Sequence, residues 1–182
     1  MNILAYTALT LRPATEQALR GAGEMITCPP FVENTLPFLT FMHRDLIVLN
    51  LHGLPDHPVW YGDGLRRAMT ADGLRGFQLD SAGVFAYNCF LGDAKHPMMS
   101  ALFDAGASWV VAGAGKNWGG ETDVQGADVL LRWFLRSFRQ QRNPDSALEY
   151  AKIATALTPR WSRQARLALA DAREFKLFRR PR

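Results

Sequence analysis

The chain has 182 residues, 48% of them apolar and 21% charged, which suits one globular domain with a sizeable core, with or without an appendage. No run approaches the roughly 18 apolar residues of a membrane span, the first residues lack the basic start of a signal peptide, and two cysteines, Cys28 and Cys89, are too few for a disulfide framework. An integral membrane helix and a secreted disulfide scaffold are thereby excluded, and a reducing cytoplasm with free thiols is the expected setting.

Residues 2–7 read as a short first strand. Pro13 in a first turn, the good helix formers of 14–20 and the stop at Gly21 predict a helix. Residues 25–28 read as a second short strand, ended by Pro29 and Pro30. Asn34 as a cap and Pro37 in the first turn predict a helix to about His43, with Leu36, Phe38, Leu39 and Phe41 covering a sheet face. Residues 45–51, Asp-Leu-Ile-Val-Leu-Asn-Leu, form the clearest strand, a continuous β-branched and Leu run of the kind buried on both faces. It ends at His52-Gly53. A loop with His57, Trp60 and Tyr61 follows, and 65–69 look helical.

Residues 84–88, Val-Phe-Ala-Tyr-Asn, form the next buried strand and run straight into Cys89, after which Gly92 and Asp93 break the run. A helix over 96–105 is stopped by Gly106. Residues 108–113 form another buried strand, followed by a Gly-rich loop over 113–126. From 127 to 141 the apolar positions 130, 131, 134, 135 and 138 recur at helical spacing. Asn143-Pro144-Asp145 ends that helix and starts another over 146–157. Residues 159–182 hold eight Lys or Arg against two acids, about +6 against about −2 for the rest, so the excess positive charge resides in this segment, expected as a basic helical tail. Alternating strand and helix predict an α/β fold with a mainly parallel sheet and helices on both faces. The carboxyl ends of its strands share one edge.

Two strands therefore end in reactive residues at that edge. His52 and Cys89 lie 37 positions apart, room for one loop, one helix and the returning strand. A thiol of ordinary pKa is mostly protonated at neutral pH, and an imidazole within reach takes its proton. The N–H groups of Gly53 and Cys89 are candidates for an oxyanion hole. The alternative for Cys89 is a buried structural thiol, and for His52 a satisfied imidazole at a loop edge.

Here the chain resembles the caspase and hemoglobinase superfamily of cysteine peptidases. Leu49-Asn-Leu-His-Gly is similar to its strand followed by His-Gly. Val84-Phe-Ala-Tyr-Asn-Cys-Phe-Leu-Gly is similar to its strand followed by Cys, two residues and Gly. More narrowly, Leu102-Phe-Asp-Ala-Gly-Ala-Ser-Trp-Val-Val-Ala, Trp118 and the helices over 134–138 and 147–152 resemble the CHAT-type group. The resemblance spans roughly residues 40–155. It implies a three-layer α/β/α sandwich over 1–158 and a peptidase with Cys89 as nucleophile and His52 as general base. It implies a polypeptide substrate, a thioester acyl-enzyme and no cofactor. Phe90 and Leu91 are more apolar than the pair usual in CHAT domains. No tetratricopeptide array is attached. Recruitment then falls to a separate regulatory or tetratricopeptide-type partner subunit, or the chain is a catalytically silent module that binds a partner.

Asp93, Glu121 and Asp123 are candidate acids for a substrate pocket, since superfamily members that cleave after Arg or Lys pair the cation with an acid. Trp118 is a candidate pocket wall. Each has a plainer reading, as a solvated acid or as a loop residue folded on the core. His43, His57 and His96 read as surface or capping residues, and Cys28 as a small hydrophobe. No pair has metal-ligand spacing. The 113–126 loop lacks the full phosphate-loop pattern, and the basic tail carries no nucleic-acid recognition motif.

Overall fold

The computed structural model describes residues 1–157 and 163–180. Six strands form one sheet in the order β2-β1-β3-β6-β7-β8: β1 (Ile3–Ala8), β2 (Glu24–Cys28), β3 (Leu46–Asn50), β6 (Gly83–Ala86), β7 (Trp109–Gly113) and β8 (Phe175–Arg179). Between β3 and β6 comes a separate hairpin of β4 (Val59–Tyr61) and β5 (Arg67–Thr70). The first five sheet strands are parallel and β8 is antiparallel to β7.

Alternate side chains of each parallel strand enter opposite cores, which is why these strands read as unbroken apolar runs. Ile47, Leu49, Val84, Ala86, Val110 and Ala112 point to one core, covered by the hairpin, α2 (Ala71–Arg75) and α3 (Pro97–Asp104). Leu46, Val48, Phe85, Tyr87, Trp109 and Val111 point to the other. That core is covered by α1 (Arg12–Leu19), α4 (Ala127–Gln141), α5 (Pro144–Leu157) and α6 (Arg163–Glu174). The result is the expected α/β/α sandwich. Helix α4 turns Leu130, Leu131, Phe134, Leu135 and Phe138 inward, as its spacing predicts.

Three expectations fail. The helix from Asn34 reduces to one 3-10 turn, Phe38–Phe41, because Pro37 stays extended; Phe41 plugs the core, edge-on to Phe77 at 5.1 Å, and Leu36 is buried beside it in the same core. Residues 65–69 form no helix beyond Leu65, which closes a 3-10 turn from Asp63. Residues from Arg67 onward form β5, where Trp60 and Met69 pair across the hairpin and bury completely. The basic segment is no appendage beyond residue 158. Its described part supplies α6, which buries Ala168 and Ala172, and β8, which closes the β7 edge. An open β7 edge would leave a row of N–H and C=O groups unpaired, and β8 satisfies them. Residues 158–162 and 181–182 lie outside the described residues.

Phe175, fully buried and stacked on Phe85 at 5.5 Å, anchors this segment. Phe175→Ala is expected to lower stability by about 3–5 kcal/mol in urea unfolding. A loss below about 1 kcal/mol, within the range of surface changes, would show that the segment is dispensable.

Candidate active site

Strands β3 and β6 are hydrogen-bonded neighbours, so their carboxyl ends lie side by side. Asn88, just beyond β6, clamps them together. Its buried Oδ1 accepts the Leu51 N–H at 2.8 Å, and its carbonyl accepts Asn117 Nδ2 at 2.9 Å. One residue further on each side come His52 and Cys89.

Gly53 sits against Cys89. A Cβ on Gly53 would stand 2.5 Å from the Cys89 carbonyl oxygen and 3.4 Å from its nitrogen. Only glycine allows the two strand ends to approach this closely. Among the described residues the Gly53 N–H has no acceptor, and the Cys89 N–H faces only its own sulfur. Phe90 then adopts φ +65°, a left-handed conformation uncommon for a side chain of this size. It turns the chain sharply, and its N–H goes to the Gly115 carbonyl at 2.8 Å. Gly92 donates to the Gly113 carbonyl at 2.8 Å, and a Cβ there would overlap Gly113 and Ala114. The Cys-x-x-Gly spacing is thus the length of a turn that docks on the end of β7.

The hairpin holds His52. Its N–H and carbonyl exchange hydrogen bonds with Tyr61 at 2.8 and 2.9 Å. Two residues beyond Tyr61, Asp63 returns to the imidazole, with Oδ1 3.6 Å from His52 Nε2. Asp63 is itself fixed by Thr10, whose N–H and hydroxyl donate to its two oxygens at 2.6 and 2.7 Å. The loop after His52 is tied down by buried His96, whose Nε2 lies 3.3 Å from the Leu54 carbonyl and whose Nδ1 accepts the Met98 N–H at the start of α3. His57 rests beside Tyr61 at 5.9 Å, and exposed His43 pairs with Asp80.

The Cys89 thiol is half-buried and donates to the Asn117 carbonyl at 3.5 Å. Burial pushes it above the ordinary thiol range, and the hydrogen bond with the Asn117 backbone and the charge of the Lys116 ammonium pull it part of the way back. No hydrogen bond joins it to His52 among the described residues. The site therefore rests with a protonated thiol turned to Asn117 and an imidazole turned to Asp63.

The Gly-rich loop after β7 forms the far wall. Asn117 is buried in it, while Lys116 is exposed and its ammonium lies 4.9 Å above the ring of Trp118, which is 39% exposed. Two buried carboxylates hold this loop. Asp128 of α4 accepts the N–H of Gly120 at 2.7 Å and of Gln125 at 3.3 Å; Asp171 of α6 accepts that of Trp118 at 3.1 Å. Burial pushes Asp128 to about 6 and Asp171 to about 7.

Of the residues singled out from sequence, His52, Gly53 and Cys89 come to one edge, with Trp118 on the adjoining loop. Asp93 is exposed and its carboxylate caps the Lys95 N–H at 2.9 Å. Glu121 and Asp123 are exposed at the loop tip, which Gln17 ties toward α1 through the Thr122 carbonyl. The charges that act most strongly on the thiol are Lys116 and Asp171, not these three acids. Sequence reasoning missed Asp63, Asn88, Asn117 and the two loop-holding carboxylates. The return of Asp63 depends on the hairpin, and its signal was the Gly-Asp-Gly turn after Tyr61. Among the described residues no group of three or more His, Cys, Asp or Glu is placed to hold a metal ion, and no helix is long and apolar enough to cross a membrane.

No protein-family model matches the sequence, and no curated protein matches it. Among solved structures the chain is similar to gingipain R, an Arg-specific cysteine proteinase, with a TM-score of 0.59 at 12% identity. The match covers 99% of this chain and 46% of that one, so the chain spans under half the length of its structural neighbour. At such identity the likeness speaks for fold and not for chemistry. The chain has a caspase/hemoglobinase-like α/β/α fold.

Proposed function

We propose that the protein is a cysteine endopeptidase with Cys89 as nucleophile and His52 as general base. The observation that carries this reading is the close approach of Gly53 to Cys89 at two neighbouring strand ends, with a Gly53 N–H that has no acceptor among the described residues and a Cys89 N–H that faces only its own sulfur. Backbone donors not committed to another residue at such a place suit a developing oxyanion.

In the proposed cycle His52 takes the thiol proton and the sulfur attacks the peptide carbonyl. The oxyanion is held by the two N–H groups. The imidazolium returns the proton to the leaving amine, which departs and leaves a thioester. Water, deprotonated by His52, hydrolyses the thioester and restores the thiol. The thiol must leave Asn117 and meet the imidazole when substrate binds, as catalytic contacts often tighten only in the complex. Asp63 acts as a positioning residue for the ring.

Cys89→Ala should abolish cleavage of a peptide library, and equal cutting by wild type and variant would sink the mechanism. Asp63→Asn should lower kcat about tenfold with KM little changed, since it removes orientation and not binding. Asp63→Glu should recover part of the loss, and an unaffected Asp63→Asn variant would remove Asp63 from the mechanism.

A second reading, a CHAT-like module that is catalytically silent and binds a partner, is favoured by the raised, half-buried thiol bonded to Asn117. On that reading Cys89 reacts with a thiol probe near pH 6.5 no faster than an unactivated cysteine, and His52→Ala changes nothing. Fast, His52-dependent labelling excludes it.

A further inference from the structure

A second concentration of charge lies on the helical face covering the other core. Helix α1 starts at the carboxyl edge of the sheet and runs back from it. Where it ends, Arg20, Arg132, Arg136 and Arg139 line one cavity of about 290 Å³ between α1 and α4. Elsewhere in the molecule arginines meet acids: Arg44 with Glu24 at 2.7 Å, Arg67 with Glu33 at 3.7 Å, Arg142 with Asp45 at 3.5 Å. None of the four cavity arginines forms a salt bridge among the described residues; the one acid that acts on them, Asp128 on Arg132, does so without an ion-pair contact.

Their positions are set by the protein. Arg132 and Arg139 each donate one N–H to a carbonyl at the end of α1, those of Gln17 at 3.2 Å and Leu19 at 3.3 Å. These contacts offset the weakly negative end of that helix and leave the remaining donors unassigned. The Nε of Arg132 is buried without an acceptor, an arrangement that costs free energy until one arrives. Burial and the neighbouring Arg20 charge also weaken the hold of Arg132 on its proton, against a smaller opposing effect of Asp128. The guanidinium of Arg136 lies 5.4 Å from the ring of Trp133, which with Leu19 and Leu135 gives the cavity an apolar lining. Four like charges around one space repel each other while it is empty, and forked guanidinium donors match the oxygens of a phosphate group.

We propose that this cavity binds a small anion bearing a phosphate group with at least two negative charges. The assignment is independent of the peptidase reading. Its test uses the full chain and inorganic pyrophosphate, titrated at constant ionic strength, with calorimetry and the melting temperature as readouts. Saturable binding that raises the melting temperature is expected. Arg136→Gln, an exposed change that breaks no backbone contact, should weaken binding about tenfold, the loss of one charge-assisted hydrogen bond. Arg136→Lys should weaken it less. The same titration with inorganic phosphate separates a single phosphate group from a linked pair, and binding of either supports the site. Absence of saturable binding by both, or equal affinity in the Arg136→Gln protein, overturns the proposal. Citrate binding as tightly as pyrophosphate overturns the phosphate assignment.

Discussion

Gly53→Ala is expected to remove peptide cleavage and to destabilise the fold together. The added Cβ would lie 2.5 Å from the Cys89 carbonyl oxygen, a backbone atom that no side-chain rotation can move aside. Strands β3 and β6 would have to separate at their ends, against the Asn88 clamp at 2.8 Å. Overpacking of this kind costs about 1–3 kcal/mol. Displacement of one oxyanion donor costs a further factor of about 100–1,000 in kcat. Urea unfolding and a peptide-cleavage assay read the two effects separately. A Gly53→Ala protein with wild-type stability and activity would mean that the strand ends are not in contact. Lost stability with retained activity would remove Gly53 from the oxyanion hole alone.

A second large effect concerns pH. Asp171 is buried, and its carboxyl sits at about 7 in the folded protein. An unfolded chain ionises it near 4. Between these values the folded state holds a proton that the unfolded state has lost, so the contribution of Asp171 to stability falls as pH rises from about 4 to 7 and stays level above that. The decline amounts to about 4 kcal/mol for a shift of this size. Asp128, at about 6, adds a smaller decline in the same direction. Asp171→Asn keeps an acceptor for the Trp118 N–H and removes the ionisation. The variant should therefore melt higher than wild type at pH 8 and match it near pH 4.5. Melting profiles of the two proteins across this range decide the matter; a constant difference between them would show that Asp171 does not titrate in this window. Both carboxylates hold the loop that carries Lys116, Asn117 and Trp118, so the wall beside Cys89 should loosen over the same pH range.

The parallel strands were legible because each is buried on both faces. A strand so placed carries apolar side chains at successive positions, and 46–49 and 109–112 do. Helix α4 was legible because one face of a helix must be apolar at the helical period. From these two rules it followed that His52 and Cys89 share an edge. The hairpin was not legible. Its strands are three and four residues long, and they are held by Trp60 burial and by the bridge between His52 and Tyr61, both long-range. Asp63 was hidden with it. Strand β8 was read as helix because Phe175-Lys-Leu-Phe-Arg is too short and too charged to declare itself, and its conformation comes from pairing with β7.

Local pattern along the chain sufficed for the α/β class, the order of the buried strands and the placing of a thiol and an imidazole at the ends of two of them. Tertiary structure alone decided what surrounds that pair. Asp63 meets His52 because a hairpin folds back, Asn117 takes the thiol because the loop after β7 docks on the Cys89 turn, and Asp128 and Asp171 shape that loop because helices far apart in the chain bury them against it. Strand and helix character depends on neighbours in the chain, and local pattern records it. The partners of a buried polar group depend on which distant segments meet there, and no local pattern records that.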